Sequence, residues 1–271
     1  MDRAALEDHI RANPVEGSPA DMRAAFLRLA QPGGMPDLPE VVTVGGCPGR
    51  WFGAGDRPIL WLHGGGYVFG GSDSHAAPAR ALADLTGRPV FVPDYPLAPE
   101  HPWPAQVDAV AAVLDELASC DVVGDSAGGH LAINLARRAP ERIRHLAVLS
   151  PNTDRSGLST TRKRNTDSDL MNDDEQDRHL SDMALGHLPD DDPEASPLLA
   201  DLSRLPPLFV TATTSEVLLD DSLLLATRAA RSGVAVTLDV RLGLFHMWHL
   251  WPDVLPEAQA TLRAVADHLS R

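Results

Sequence analysis

Ser126 sits within Val122-Val123-Gly124-Asp125-Ser126-Ala127-Gly128-Gly129, where a β-branched run, a glycine-flanked serine and an Ala/Leu-rich helical pattern follow one another. Strand, sharp turn and helix are the context in which Gly-x-Ser-x-Gly works as a nucleophile elbow. The strained turn projects the hydroxyl, and the glycines at 124 and 128 let neighbouring backbone pass close by. A helix beginning at the serine also aims backbone N–H groups, that of Ala127 among them, at charge developing in front of it. The chemistry this suits is attack of an activated hydroxyl on a carbonyl, with the oxyanion held by amides. The same five residues can occur by chance in any turn, so the rest of the chain has to decide.

A second stretch supports the first. Pro58-Ile59-Leu60-Trp61-Leu62 is a continuous apolar run, as a buried central strand requires, and it ends in His63-Gly64-Gly65-Gly66-Tyr67. Bare backbone at Gly64, Gly65 and Gly66 can point N–H groups into a cleft, which an oxyanion hole needs.

These stretches must be held by a larger framework. Helical spacing runs over residues 3–12 and 20–30, with Pro14, Gly17 and Pro19 between them, so two helices precede any strand. Val41 to Val44 and Arg50 to Phe52 read as an antiparallel pair around a Gly-Gly-Cys-Pro-Gly turn. Strands follow at 58–62, 90–93, 120–123, 143–149, 207–211 and 234–240, with those at 58–62, 90–93 and 143–149 apolar enough to be buried. Helical patterns alternate with them at 105–118, 127–138, 219–232 and 255–269, and Ser72 or Asp73 is placed to cap one that runs through Leu85 to Gly87. Residues 94–104 form a proline-rich ordered loop. Strands alternating with helices predict an α/β fold: a mostly parallel sheet with helices on both faces. Residues 152–200 lose this period except for a helical patch near 174–187, and a segment this long between strands is usually a lid or insertion.

Composition narrows the function classes. A chain of 271 residues with a net charge of −15 has the wrong sign for a nucleic-acid partner. The acidic tracts Asp167–Asp177 and Asp190–Glu194 read as solvated surface. Two cysteines, Cys47 and Cys120, give neither a disulfide framework nor a cysteine metal site. No apolar run approaches membrane-spanning length and the first residues lack an apolar leader core, so a cytoplasmic protein is expected.

With these residues laid out, the chain resembles the hormone-sensitive-lipase-like carboxylesterases of the α/β-hydrolase fold, over roughly residues 57–270. The resemblance rests on His63-Gly64-Gly65-Gly66, on Tyr95-Pro96-Leu97-Ala98-Pro99-Glu100-His101-Pro102, on Gly124 to Gly129, and on the Glu216–Asp221 and His246 segments. It implies that Ser126 is the nucleophile and that the glycine loop with the Ala127 N–H forms the oxyanion hole. It further implies that residues 1–38 and 152–200 form a helical cap over a catalytic core of 39–151 and 201–271. Small apolar esters of short to medium chain, cleaved without a cofactor, are the implied substrates, and members of the family often pair through the last strand, so a monomer or a homodimer is expected. Two departures stand out. Pro96 replaces an arginine usual in the family, so any ion pair that side chain makes is missing, and glutamate takes the place usual for aspartate in the acid motif.

An α/β-hydrolase orders its triad Ser, then Asp or Glu, then His. Glu216, just past the 208–212 strand, is the favoured acid, with Asp220 and Asp221 as rivals that the helical pattern makes first-turn charges. His246, in the loop after the last strand, is the favoured base, and His249 reads as a packed neighbour. The pair lacks a third metal ligand, and no metal is expected. His63 is placed to brace the glycine loop. Tyr67, Phe69, Trp103 and Trp248 are candidate pocket walls that could equally be core. Acyl transfer, amide or carbamate cleavage, elimination, or a non-catalytic receptor remain as other uses of the same scaffold.

Overall fold

The computed structural model describes residues 1–271. Eight strands form one sheet: β1 (Val42–Val44), β2 (Cys47–Phe52), β3 (Ile59–Leu62), β4 (Val90–Pro93), β5 (Cys120–Asp125), β6 (Ile143–Leu149), β7 (Leu208–Thr213) and β8 (Val236–Arg241). Their order is β1-β2-β4-β3-β5-β6-β7-β8. The β1–β2 and β2–β4 pairs are antiparallel, and every pair from β4 to β8 is parallel. This is the mostly parallel sheet with helices on both faces that the strand–helix alternation predicts, in the α/β-hydrolase arrangement that the resemblance implies.

The continuous apolar runs have a simple cause. Successive residues of a strand face opposite sides, and here both sides are covered. Leu60, Leu62 and Val122 pack with α4 (Ala105–Leu117), α5 (Ala127–Arg138) and α8 (Leu219–Arg231). Ile59, Trp61, Val90 and Val123 face the other way, against α3 (Ala76–Thr86) and α9 (Pro256–Leu269). No helix is long and apolar enough to cross a membrane.

Chain order runs outward from β3 to β4 on one side and then returns to β5 on the other. Loops leaving the carboxyl ends of β3 and β5 therefore diverge, and a crevice opens between them at this switch point. The glycine loop follows β3 and the Ser126 turn follows β5.

The remaining elements gather over this crevice. They are α1 (Arg3–Ala12), α2 (Pro19–Ala30) and, from the long insertion, α7 (Asp174–Leu185), while α6 (Thr161–Arg164) of the same insertion packs on α8. Gln176 Nε2 donates to the Val15 carbonyl at 2.6 Å and joins the two pieces. Arg23 of α2 donates to Glu100 at 2.6 Å and to the Val68 carbonyl at 2.9 Å. Glu100 thus finds a cation from another element, although Pro96 removes the one expected nearby. Ser72 and Asp73 do not cap α3, whose N-terminal flank is His75. Asp94, at the end of β4, takes the Ser72 N–H at 2.6 Å and its hydroxyl at 3.0 Å instead.

The acidic tract 167–177 is not uniformly a solvated face. Asp177 is buried, with Arg162 Nη1 2.6 Å away and Asn152 Nδ2 2.9 Å away. Arg162 also reaches Asp221 of α8 at 2.8 Å. One buried guanidinium thus ties α6 to both α7 and the core, a link that composition could not disclose.

Candidate active site

Ser126 stands between β5 and α5 at φ 53° and ψ −121°, a conformation strained for a residue with a side chain. The turn is possible because of its neighbours. A Cβ on Gly128 would lie 2.0 Å from the Leu62 carbonyl oxygen, and one on Gly124 would lie 2.3 Å from the Gly128 carbonyl oxygen. The helix is pressed onto β3 at a separation that only glycine permits.

His246 follows β8 and Glu216 follows β7. His246 Nε2 lies 2.9 Å from Ser126 Oγ, and Nδ1 lies 2.9 Å from Glu216 Oε2. With Nδ1 protonated, the imidazole donates to the carboxylate and accepts from the serine hydroxyl. Glu216 is wholly buried, and its other oxygen accepts the Thr213 N–H at 2.8 Å, which orients the carboxylate. Burial works against a charged His246, but the hydrogen bond and charge of Glu216, joined by the charges of Asp169 and Asp177, outweigh it. The imidazole pKa is raised.

The rival acids are occupied elsewhere. Asp220 accepts the N–H groups of Thr160 at 2.8 Å and Thr161 at 3.1 Å. Asp221 accepts the N–H groups of Thr153 at 2.7 Å and Asp154 at 2.9 Å, besides holding Arg162. Both carboxylates pin the insertion to α8. His249 lies beneath the site, 3.5 Å from Asp125, as a packed neighbour.

The glycine loop divides its amides. Gly64 is not a free donor, because its N–H goes to Asp125 Oδ2 at 3.1 Å, and this removes it from the expected oxyanion set. The N–H groups of Gly65, Gly66 and Ala127 make no hydrogen bond within the protein. Gly65 has φ 120°, and a Cβ there would meet the Phe69 carbonyl oxygen at 2.2 Å. His63 braces the loop through Nδ1 and the Gly64 carbonyl at 2.9 Å, and stacks on Tyr95 at 4.0 Å.

A cavity of ≈ 340 Å³ opens on Ser126 and His246. Ile10, Val15, Phe26 and Leu29 wall it from the N-terminal side, Phe69 from the glycine loop, and Leu170, Met171 and Leu180 from the insertion. Of the four aromatic candidates only Phe69 lines it. Tyr67 hydrogen-bonds His130 in the interior, Trp103 donates to Glu194 at 2.6 Å, and Trp248 is fully buried with Nε1 3.1 Å from Thr261 Oγ1. Each of these rings has a polar handle that found a partner away from the crevice, so the three are core. A larger cavity of ≈ 810 Å³, between residues 30–36, α3 and Trp251, contains no part of the Ser126–His246–Glu216 chain.

Two contributors escaped the sequence reading. Asn165 Nδ2 donates to the Glu216 carbonyl at 2.8 Å, and Asp169 accepts the backbone N–H of His246 at 3.2 Å. Both come from the aperiodic insertion, where nothing in the order of residues signals which side chains turn inward.

Residues 59–250 match the family described as alpha/beta hydrolase fold. The chain is 34% identical to an acetyl-hydrolase of Streptomyces hygroscopicus, across 97% of this chain and 92% of that protein. It is 33% identical to an esterase of Acinetobacter venetianus, across 77% of this chain and 73% of the other. Among solved structures, an esterase from the bacterial hormone-sensitive lipase (HSL) family superposes with a TM-score of 0.92 at 30% identity, covering 98% of this chain and 96% of that one.

Proposed function

Because this chain belongs to the α/β-hydrolase fold family, among the bacterial hormone-sensitive-lipase-like esterases, we propose that it is a serine carboxylesterase acting on small, apolar esters of short to medium acyl chain. The observation that carries this reading is the hydrogen-bonded chain Ser126–His246–Glu216 opening on a cavity with an apolar wall of Ile10, Phe26, Leu29, Phe69 and Leu180.

In this mechanism His246 Nε2 takes the Ser126 proton as Oγ attacks the ester carbonyl. Glu216 holds the Nδ1–H tautomer and stabilises the imidazolium. The negative charge that develops on the carbonyl oxygen is met by the unpaired N–H groups of Gly65, Gly66 and Ala127, each worth about 3 kcal/mol in comparable sites. His246 then returns the proton to the leaving alcohol. Water, activated by the same imidazole, releases the acid and restores the serine.

The volume of ≈ 340 Å³ is at the small end for a ligand site, which supports short chains over long ones. We assign α1, α2 and residues 152–200 the role of a cap, since these pieces supply the cavity's roof. The open edge at β8, with Leu238 41% exposed, favours pairing of two copies over a lone chain. Buried, free Cys47 and Cys120 fit a reducing compartment such as the cytoplasm.

A p-nitrophenyl ester series from acetate to laurate, run on the wild type and on Ser126→Ala, tests the reading. Activity peaking at short chains and absent from the variant is the expected result. Equal turnover by both proteins would overturn it.

A further inference from the structure

Asp169 belongs to the acidic tract between α6 and α7, yet its carboxylate is turned inward. Oδ1 accepts the N–H of Met171 at 3.1 Å and that of His246 at 3.2 Å. Oδ2 accepts the N–H of Val217 at 3.0 Å. Three loops therefore converge on one side chain: its own, the loop after β7 that carries Glu216, and the loop after β8 that carries His246. The same side chain lines the cavity on which Ser126 opens.

We propose that Asp169 is a positioning residue of the triad: it fastens the acid and histidine loops to the segment roofing the pocket, and adds a second negative charge beside the His246 imidazole. The proposal rests on the reading of Ser126, His246 and Glu216 as the triad. Its first half follows from geometry. Val217 adjoins Glu216, so a carboxylate gripping the Val217 and His246 amides sets the separation of the two loops whose side chains must meet at 2.9 Å. Hydrogen bonds from backbone N–H to an ionised carboxylate are stronger than neutral ones and suit this task. Its second half follows from charge. An imidazolium forms in the transition state, and a fixed negative charge nearby stabilises it without reorganisation.

Burial pushes the Asp169 carboxyl up to about 6; the imidazole and the amide donors pull the other way, and the charge of Glu216 adds to the rise. The group is ionised through the neutral range and loses its charge as the pH falls through that value. The other titratable groups on the cavity are Arg11, Glu16, Asp173 and Asp177, the last held by Arg162.

The test is the pH profile of kcat/KM for Asp169→Asn, beside the wild type and Ser126→Ala. Removing the charge lowers the pKa of His246, so the acid limb moves to lower pH, while kcat falls about tenfold and KM changes less than about twofold. Asp169→Glu keeps the charge and loses the three-way grip, so its acid limb stays with the wild type although kcat falls. It also serves if the asparagine variant does not fold. An unmoved acid limb with kcat within about twofold of wild type in Asp169→Asn would overturn the proposal. So would a wild-type kcat in Asp169→Glu. Loss of activity in Ser126→Ala, measured in parallel, keeps the triad reading separate from these outcomes.

Discussion

The Asp125 carboxylate accepts the Gly64 N–H at 3.1 Å, so the residue beside the proposed nucleophile also anchors the loop of the proposed oxyanion donors. Its other oxygen accepts Trp61 Nε1–H at 2.8 Å, and His75 Nε2 lies 3.2 Å from the oxygen that holds Gly64. Burial resists ionisation of Asp125, but the neighbouring His75 and His249 prevail and hold the carboxyl well below its usual range. The fixed charge keeps Gly64 in place, and Gly65 and Gly66 follow from it along the chain.

Asp125→Asn is therefore expected to lower kcat by about 10- to 100-fold with little change in KM, since a displaced oxyanion donor is lost only from the transition state. It also leaves buried donors without their charged acceptor, at a cost of about 3 kcal/mol. Steady-state kinetics and thermal melting read the two effects separately.

The acid assignment is tested by a pair of substitutions. Glu216→Gln keeps the shape of the side chain but not the charge that fixes the His246 tautomer, and kcat should fall by about 10²- to 10⁴-fold. Asp220→Asn should leave kcat within about threefold and cost about 1 kcal/mol of stability, because Asp220 binds amides of Thr160 and Thr161 and not the imidazole. A reversed pattern would move the acid to Asp220.

The acid limb of the wild-type kcat/KM profile should lie above the ordinary imidazole value of 6.5, because His246 must be neutral to accept the serine proton and its pKa is raised. Activity is present above this pKa and is lost as pH falls through it. In Glu216→Gln the residual activity should extend to lower pH, since the group that raises the pKa is gone.

Arg162 is buried between Asp177, Asp221 and Asn152. Arg162→Met leaves two buried carboxylates without their cation and should cost about 3–5 kcal/mol. Burial alone would push Asp177 up, but Arg162 overcomes it and the carboxyl lies below its usual value. The pair's contribution is thus present at neutral pH and is lost as pH falls through that lowered value. The gap in melting temperature between wild type and variant should be widest near neutrality and narrow toward acid.

Phe69 and Trp248 separate pocket from core. Phe69→Ala enlarges the cavity and should move the preferred acyl chain toward longer esters. Trp248→Ala, in a ring fully buried away from the cavity, should cost about 3–5 kcal/mol and leave the chain-length preference as it is.

Much of the fold was legible because burial on both faces writes itself as uninterrupted apolar runs. β3, β5 and β6 fall where those runs lie, and α5 spans 127–138 as its spacing predicts. The turn between β5 and α5 was legible for a different reason. The helix approaches the Leu62 carbonyl so closely that no side chain is tolerated at residue 128, and sterics of that severity leave glycine in the sequence. The cap over α3 failed to form because the Ser72 hydroxyl, equally able to bond locally, found Asp94 across the fold.

The sequence by itself determined the succession of strands along the chain, the glycine-bared turns, and the candidates Ser126, His246 and, with the rivals Asp220 and Asp221, Glu216, since each follows from local backbone demands or from its place after a strand taken with the family resemblance. Only the tertiary structure decided that Gly64 serves Asp125, that Phe69 alone among four aromatic rings reaches the pocket, and that Asp169 and Asp177 turn inward from an acidic tract. Those outcomes depend on which partner lies across a gap of about 3 Å, and partners distant in the chain leave no periodic trace in it.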